Sequence, residues 1–184
     1  MNWSMIMMLS IFLTLALSIN AQTSSSDLIS QVCEHAPRKG FCQSALRSDP
    51  RSEKADTAGL AAVALRLAAS NATDNAAFIG RMLGGGAGGD GGSLDPAVEQ
   101  CLSDCADQYA DAVEQMEASI AAASTGDYDG LRPWVKAAIA DAESCEEGFR
   151  MEAGADQMVM SHRNKVFKLL CDTALRIVEL LVLA

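Results

Sequence analysis

The sequence is poor in aromatic side chains, which make up 5% of its 184 residues. Hydrophobic residues still reach 49%, enough for a core, and Ala, Leu and Met supply most of them. This composition is typical of helical bundles rather than β-sandwiches, and no segment shows the alternation of a β-strand. With a length that suits one ordinary domain, the chain is predicted to be all-α.

Basic residues are scarce as well. The chain has 14 Lys and Arg against 24 Asp and Glu, and its formal net charge is −10 at pH 7. The few basic residues form no cluster, so nucleic acids and anionic membranes are poor partners. An acidic chain of this kind is better suited to a basic protein partner or a basic cleft.

The motifs of common catalytic and metal sites are missing. Neither of the two histidines, His35 and His162, has a second ligand at metal-binding spacing. Cys101 and Cys105 are at most half of a zinc site, no serine stands in a Gly-x-Ser-x-Gly turn, and no cysteine has an obvious histidine partner. Residues 84–92 hold seven glycines, but they lack the flanks of a phosphate loop and predict a flexible linker. The sequence therefore predicts no metal, no cofactor and no enzyme activity.

The first 21 residues contain no charged side chain. Residues 5–17 are almost wholly apolar, a run of about 13 residues that suits a signal-peptide core and is too short to span a bilayer. We therefore predict a signal peptide over 1–21 and a secreted domain over 22–184. In a secreted protein, the sequon that begins at Asn71 predicts a glycosylated surface site.

Six cysteines follow the predicted signal peptide, namely Cys33, Cys42, Cys101, Cys105, Cys145 and Cys171. An even number of cysteines in a secreted chain indicates disulfides, and six allow 15 pairings. The residues alone do not choose among these pairings.

Apolar residues recur at three- and four-residue steps between Leu94 and Phe149, the period of a helix with one buried face. Asp95 and Pro96 supply an N-cap and a first helical residue, and residues 124–127 interrupt the pattern with a turn. Two antiparallel helices are therefore predicted here. The first carries Cys101, Cys105, Tyr109 and Met116 on its apolar face, and the second carries Leu131, Trp134, Val135 and Cys145.

Two further long helices complete the predicted bundle. Asp49 and Pro50 predict the start of one of them, and a last apolar stripe extends over about 156–183. Ahead of them, two short apolar segments flank a turn within 26–46. The predicted fold is an up-down-up-down four-helix bundle over 50–183 with an N-terminal α-hairpin over 26–46.

A row of carboxylates follows the polar side of the first helix of the central pair, comprising Asp104, Asp107, Asp111 and Glu114. A catalytic acid pair needs a cleft that shifts one pKa, and a solvated helix face offers none. The row is interpreted either as a solvated face or as an acidic surface on which a partner docks.

Several blocks of the sequence, in their order and spacing, resemble the family of plant invertase and pectin methylesterase inhibitors. They lie at residues 29–33, 41–46, 48–52, 102–113, 134–138, 144–149 and 174–177. The block around Cys105 is similar to the setting of the family's third cysteine, and Ser144-Cys145-Glu146-Glu147-Gly148-Phe149 is similar to that of the fourth. The resemblance covers nearly all of the chain after the predicted signal peptide.

The resemblance implies a disulfide-stapled four-helix bundle with an outlying α-hairpin and the pairings Cys33–Cys42 and Cys105–Cys145. Cys101 and Cys171 are extra to that pattern. A bridge between them would join the second and fourth bundle helices, and free thiols or an intermolecular pair are the alternatives. Family members bind rather than catalyse, so the implied function is a secreted inhibitor that covers the active site of a carbohydrate-active enzyme in a 1:1 complex.

Two targets are compatible with the resemblance, a plant invertase (β-fructofuranosidase) and a pectin methylesterase. Methylesterase inhibitors present the middle bundle helices, which would place the carboxylates over 104–114 at the interface. Invertase inhibitors insert the loop before the third bundle helix, here 126–133 with Tyr128 and Asp129, but the usual Pro-Lys-Phe is absent. Ser161-His162-Arg163-Asn164 looks more like invertase inhibitors, so invertase is slightly favoured.

The resemblance also implies release to the plant cell wall, with the vacuole as an alternative. A lipid-binding helical module is a remoter interpretation of a small secreted helical chain. That class uses eight cysteines with adjacent Cys-Cys and Cys-x-Cys elements, which this chain lacks.

Overall fold

The structure, a computed structural model, describes residues 28–85, 94–152 and 158–183. These ranges contain helices and turns but no β-strand, and none of the helices is long and apolar enough to cross a membrane. The predicted signal peptide and most of the predicted glycine linker lie outside the described residues and stay predictions. In chain order the elements are α1 (28–32), α2 (Lys39–Arg47), a 3₁₀ helix (Pro50–Lys54), α3 (Thr57–Leu83), α4 (Pro96–Ser124), α5 (Tyr128–Glu152) and α6 (Met158–Val182).

The N-terminal hairpin consists of α1 and α2. A disulfide between Cys33 and Cys42 joins the end of α1 to α2. Ile29 and Val32 on the first arm and Leu46 on the second are buried in the same core as the long helices. Because both arms bury apolar side chains, the hairpin is held against the bundle.

The prediction of a long helix directly after Asp49 is wrong, because a 3₁₀ helix comes first. Asp49 caps that short helix by accepting the backbone N–H of Arg51 at 2.9 Å, and hydrogen bonds from the Arg51 side chain hold the pKa of Asp49 at about 2. The chain is then extended at Ala55, and Asp56 starts α3 by accepting the N–H of Gly59 at 2.8 Å. Two capping carboxylates in succession therefore divide what the sequence pattern predicts as one helix.

Helices α4 and α5 form the antiparallel pair expected from the apolar pattern. Asp95 caps α4 by accepting a backbone N–H at 2.9 Å. The chain then reverses at Gly126, whose φ of +77° is a conformation that glycine adopts without strain. Asp127 caps α5 by accepting the N–H of Gly130 at 2.8 Å. The loop expected over 126–133 is therefore mostly the first turn and a half of α5.

The four long helices form an up-down-up-down bundle, as predicted. Each packs against two neighbours in the cyclic order α3, α4, α5 and α6, so α4 and α6 lie on a diagonal. A disulfide joins Cys105 of α4 to Cys145 of α5, with their Cα atoms 4.9 Å apart. The core between the helices includes the fully buried side chains of Tyr109, Phe149 and Phe167. The all-α, disulfide-stapled fold is thus confirmed.

The additional bridge considered between Cys101 and Cys171 is absent, and both residues are buried free thiols. The Cys101 Sγ lies 3.5 Å from the carbonyl oxygen of Gly148, whereas the Cys171 Sγ lies 4.0 Å from the Sδ of Met116. Met116 is 15 residues further along α4 than Cys101, which corresponds to about 22 Å along the helix axis. The two thiols lie at different levels of the bundle, too far apart to bond.

Candidate functional site

The carboxylates Asp104, Asp107, Asp111 and Glu114, here called the acidic row, are all exposed on α4. Their spacings of three, four and three residues keep them on one side of the helix over an axial length of about 15 Å. Helix α4 carries two more carboxylates, Glu99 and Glu117, and no Lys or Arg. Within the described ranges no salt bridge is made to the acidic row. The row therefore presents negative charge that its own bundle does not neutralise.

Behind the acidic row, the seam between α4 and α5 holds polar side chains with unmatched acceptors. Burial raises the pKa of the Asp141 carboxyl on α5; the neighbouring Gln115 on α4 opposes this shift, and the charge of Asp111 adds to it. Three buried oxygens, the Oε1 atoms of Gln108 and Gln115 and the Oδ2 of Asp141, have no hydrogen-bond partner among the described residues. The seam therefore contains buried acceptor oxygens that no donor of the described residues satisfies.

Trp134 departs from its predicted place on the apolar face of α5. It is 49% exposed, whereas Leu131, Val135 and Ala138 are fully buried. Because adjacent helical residues point about 100° apart, Trp134 and Val135 cannot both face the centre of the bundle. Apolar period alone assigns both residues to the core. The two residues can be told apart by their spacing from the other buried positions. Residues 131, 135 and 138 follow one another at steps of four and three along the buried face, and residue 134 is not part of this series.

Tyr128 and Asp129, predicted as target contacts in a loop, occupy the first turn of α5 instead. Tyr128 is half-buried, and the exposed Asp129 lies 3.6 Å from the guanidinium of Arg132. Both residues follow the end of α4, whose last residue is about 15 Å along the axis from Glu114. The structure does not bring them into the acidic row.

The block over 161–164, which favours invertase inhibitors in the sequence, lies on α6 and turns partly inward. Asn164 is 2% exposed, and its Oδ1 accepts the hydroxyl of Tyr109 at 2.9 Å. The Tyr109 hydroxyl in turn accepts the Nδ2 of Asn75 at 3.1 Å, and the Arg163 guanidinium donates to the Oδ1 of Asn75 at 3.1 Å. These bonds link α3, α4 and α6 through the core. Two of the four residues in the block are therefore structural.

An open groove between α5 and α6, here called the α5–α6 groove, contains charges of both signs. Its charged lining consists of Glu143, Glu146, Glu147, Lys165, Lys168 and Asp172. Lys168 forms an ion pair with Glu143 at 2.6 Å, and Asn164 donates to Glu146 at 2.8 Å. Two of the four carboxylates of this groove are thus engaged by groups on the facing helix.

The remaining candidate positions add little chemistry. No group of three or more metal-ligating side chains occurs in the described ranges, and both His35 and His162 are exposed. Asn71 lies in the middle of α3, half-buried, with its Oδ1 accepting the Nδ2 of Asn75 at 3.3 Å. The sequon is thus part of a helix rather than of a surface loop, and its glycosylation stays a prediction.

Fold and surface together define a class of protein: a disulfide-stapled helical bundle with one strongly acidic helix face. A family model for plant invertase/pectin methylesterase inhibitors matches residues 27–177. The chain belongs to this family, and it is a non-catalytic inhibitor protein rather than an enzyme. The family expected from the sequence blocks is confirmed.

The chain is also similar to curated plant proteins. It is 40% identical over 78 residues to the cell wall / vacuolar inhibitor of fructosidase 2 of Arabidopsis thaliana, a match that spans 41% of this chain and 43% of that protein. It is 31% identical to a putative invertase inhibitor of Platanus orientalis over 85% of this chain and 91% of that protein. It is 26% identical to a pectinesterase inhibitor of Actinidia deliciosa over 68% of this chain and 64% of that protein.

Among solved structures, the fold is similar to that of a pectin methylesterase inhibitor from Arabidopsis. A mutant form of that inhibitor aligns with a TM-score of 0.67 and 24% identity, covering 82% of this chain and 95% of that one. Another crystal structure of an Arabidopsis thaliana pectin methylesterase inhibitor aligns with a TM-score of 0.60. These similarities establish the bundle architecture.

Proposed function

We propose that the chain inhibits a plant invertase, a β-fructofuranosidase, by binding across its active site. The observation that carries the proposal is the exposed acidic row on α4, which nothing in the described part of the chain neutralises. A target whose cleft has a basic or donor-rich rim would be attracted to this face and oriented by it. Once docked there, the bundle would exclude the substrate, so inhibition is competitive.

Sequence similarity supports invertase as the target. The relatives named as fructosidase or invertase inhibitors are 30% to 40% identical to the chain, whereas the pectinesterase inhibitor is 26% identical. The block over 161–164 points the same way in the sequence. Asn164 and Arg163 form hydrogen bonds inside the bundle. The block therefore supports invertase as the target because its sequence is similar to that of invertase inhibitors, and not because these two residues would contact the target.

A pectin methylesterase is the second candidate target. The turn between α4 and α5 is short, and Asp127 already caps the next helix. The chain therefore has no long loop at this point to insert into a cleft, and a binding mode through a helix face fits it better. Since the acidic row lies on a middle helix of the bundle, the same surface suits the binding mode expected of methylesterase inhibitors.

Membership of the family also leads us to propose where the chain acts and how it binds. The chain is secreted after removal of a signal peptide over 1–21 and acts in the cell wall, with the vacuole as the alternative compartment. It binds its target in a 1:1 complex. Tyr128 and Asp129 contribute at the edge of the interface, and the acidic row supplies most of the charged contacts.

A paired inhibition titration tests the proposal. The purified, oxidised chain is titrated against an acid invertase and against a plant pectin methylesterase at mildly acidic pH, with the fully reduced and alkylated chain as the control. Inhibition of invertase alone supports the proposal, and inhibition of the methylesterase alone transfers it to the second target. Inhibition of neither enzyme refutes it, and displacement of a fluorescent fatty acid would then favour the lipid-binding alternative.

A further inference from the structure

Trp134 is the aromatic side chain that the described bundle leaves most exposed. Tyr109, Phe149 and Phe167 are fully buried, while Trp134 is 49% exposed. An indole has a large apolar surface, and about half of it here lies in contact with water. A protein with enough aliphatic side chains to fill its core has no packing need for a tryptophan at the surface. Single exposed apolar side chains are common on protein surfaces, but tryptophan is enriched among the residues that dominate binding energy, which makes this ring a candidate contact for a partner.

The helical repeat places Trp134 beside α4. Trp134 and Asp141 are seven residues apart on α5, about two turns, so they point in nearly the same direction. Asp141 lies on the side of α5 that borders α4, because Gln115 and Asp111, both on α4, are close enough to act on its pKa. Trp134 thus lies on the side of α5 that borders the seam and the acidic row. The residues one turn to either side, Gly130 and Ala137, are small, so the ring protrudes from its surroundings.

The disulfide fixes where along the acidic row the ring lies. Cys105 and Cys145 are level with each other, and Trp134 precedes Cys145 by 11 residues. In an antiparallel pair, Trp134 is therefore level with a position about 11 residues after Cys105, which is about 3 Å beyond Glu114 along the axis. Along the helix axis, Trp134 therefore lies at the end of the acidic row that is nearest Glu114.

We infer that Trp134 is the anchor of the inhibitory interface and that the acidic row orients it. This inference rests on the proposed function and deepens it by naming the chemistry of the partner surface. Trp is the residue type most enriched among the side chains that dominate binding energy, and such anchors fill a pocket on the partner inside a ring of polar contacts. The partner surface is a carbohydrate-binding cleft with an apolar or aromatic wall for the indole. Lys and Arg on its rim face the carboxylates of α4.

Substitution of Trp134 tests the anchor in the same inhibition assay. Trp134→Ala is expected to raise the inhibition constant about 30-fold or more, the size typical of a dominant interface residue. Trp134→Phe, which keeps an aromatic ring, is expected to raise the inhibition constant by a smaller factor. The matched control is Met151→Ala on the same helix, because Met151 is 69% exposed and about 26 Å from Trp134 along the axis. It is expected to change the constant by less than about twofold.

The helical circular dichroism and the thermal midpoint of each variant are measured alongside inhibition. Because Trp134 is at the surface, Trp134→Ala is expected to fold like the wild type, and Trp134→Gln provides a second, polar variant of the same position. If the wild-type chain inhibits its target and both variants inhibit equally well, the anchor is refuted while the proposed function stands. If the wild-type chain inhibits neither enzyme, both the proposed function and the anchor fall.

Discussion

The acidic row on α4 and the α5–α6 groove both carry several carboxylates but differ in how the charges of those carboxylates are balanced. In the groove, Glu143 is paired with Lys168, and Glu146 accepts a hydrogen bond from Asn164. On α4, six carboxylates occur without a single Lys or Arg. Charges in the α5–α6 groove are therefore balanced by groups of the bundle itself. Those of the acidic row are available to a binding partner.

This difference shows why the number of carboxylates on a helix says little about function. Two carboxylates of α5, Glu143 and Glu146, take part in contacts that connect it to α6, and the second contact continues through Asn164 to Tyr109 in the core. No carboxylate of α4 forms a hydrogen bond or salt bridge to another helix in the described ranges; Asp104 accepts one from Gln100 of α4 itself. Removing the other carboxylates of the acidic row should therefore leave the fold unchanged. The two surfaces should therefore respond to substitution in opposite ways: one through binding, the other through stability.

The largest expected effect is on binding through α4. The combined change Asp107→Asn, Asp111→Asn and Glu114→Gln should raise the inhibition constant about 10- to 100-fold, since each interfacial charge pair contributes about 0.5–1 kcal/mol. Inhibition by the wild type should also weaken with added salt, and the variant should lose most of that dependence.

A control variant with the same change in net charge separates specific docking from general attraction. This control combines three changes outside the acidic row, each of which removes one exposed carboxylate: Asp74→Asn, Glu143→Gln and Glu147→Gln. It should inhibit like the wild type. If the two triple variants behave alike, the acidic row is only a solvated face.

The next effect concerns stability through the core that lies behind the groove. Tyr109→Phe removes the hydroxyl that donates to Asn164 and accepts from Asn75. Because two buried amides lose a partner, the free energy of unfolding in urea should fall by about 1–3 kcal/mol. The inhibition constant should not change, since Tyr109 is buried. A variant that is as stable as the wild type would show that this network contributes little.

A smaller effect is the pH dependence that originates at the α4–α5 seam. Because the pKa of Asp141 is raised in the folded state, the folded chain holds this proton more tightly than the unfolded chain does. The resulting stability is fully present below the pKa of an unfolded Asp, about 3.9, and is lost as the pH rises through the folded-state pKa. Asp141→Asn removes the titrating group and therefore this loss of stability. The thermal midpoint of the variant, relative to that of the wild type, should thus increase as the pH rises from about 4 to about 7.

The control for this prediction is Asp107→Asn, which changes an exposed carboxylate of the acidic row. Its thermal midpoint should run parallel to that of the wild type over the same pH range. Asp172 on α6 also has a raised pKa, caused mainly by burial, and it is present in every variant of this comparison. A difference between Asp141→Asn and the wild type that does not depend on pH would contradict this account of the seam.

The smallest expected effect is at the rim of the α5–α6 groove. Glu143→Gln breaks the ion pair with Lys168, which is partly exposed to solvent. Such pairs contribute less than about 1 kcal/mol, so the urea unfolding midpoint should fall only slightly. Inhibition should be unaffected. A large loss of inhibition from this single change would place the interface on the groove and not on α4.

Much of the fold could be predicted because it depends on local signals. The apolar period gives the two central helices, and Asp95 with Pro96 gives the start of α4. The same local reasoning fails at Asp49, since a second cap at Asp56 begins a new helix. A capping residue indicates where a helix can begin. It does not indicate whether that helix continues past a second capping residue further along the chain.

The candidate site could be predicted only in part, because it depends on how helices are set against each other. The acidic row follows from spacing along one helix. The exposure of Trp134, the separation of Cys101 from Cys171 and the contact of Asp141 with α4 all depend on the rotation and level of neighbouring helices. The network of Asn75, Tyr109 and Asn164 joins residues 34 and 55 positions apart, which no periodicity in the sequence connects.

Carboxyl footprinting of the complex tests most directly whether the target binds the α4 face. Exposed carboxylates would be coupled to an amine reagent with and without the bound enzyme, and the extent of labelling would be read by mass spectrometry. If the α4 face is the interface, labelling of Asp104, Asp107, Asp111 and Glu114 falls in the complex, while Asp74 on α3 and Glu147 in the α5–α6 groove stay as reactive as in the free chain. Protection of the groove with an unchanged acidic row would contradict it.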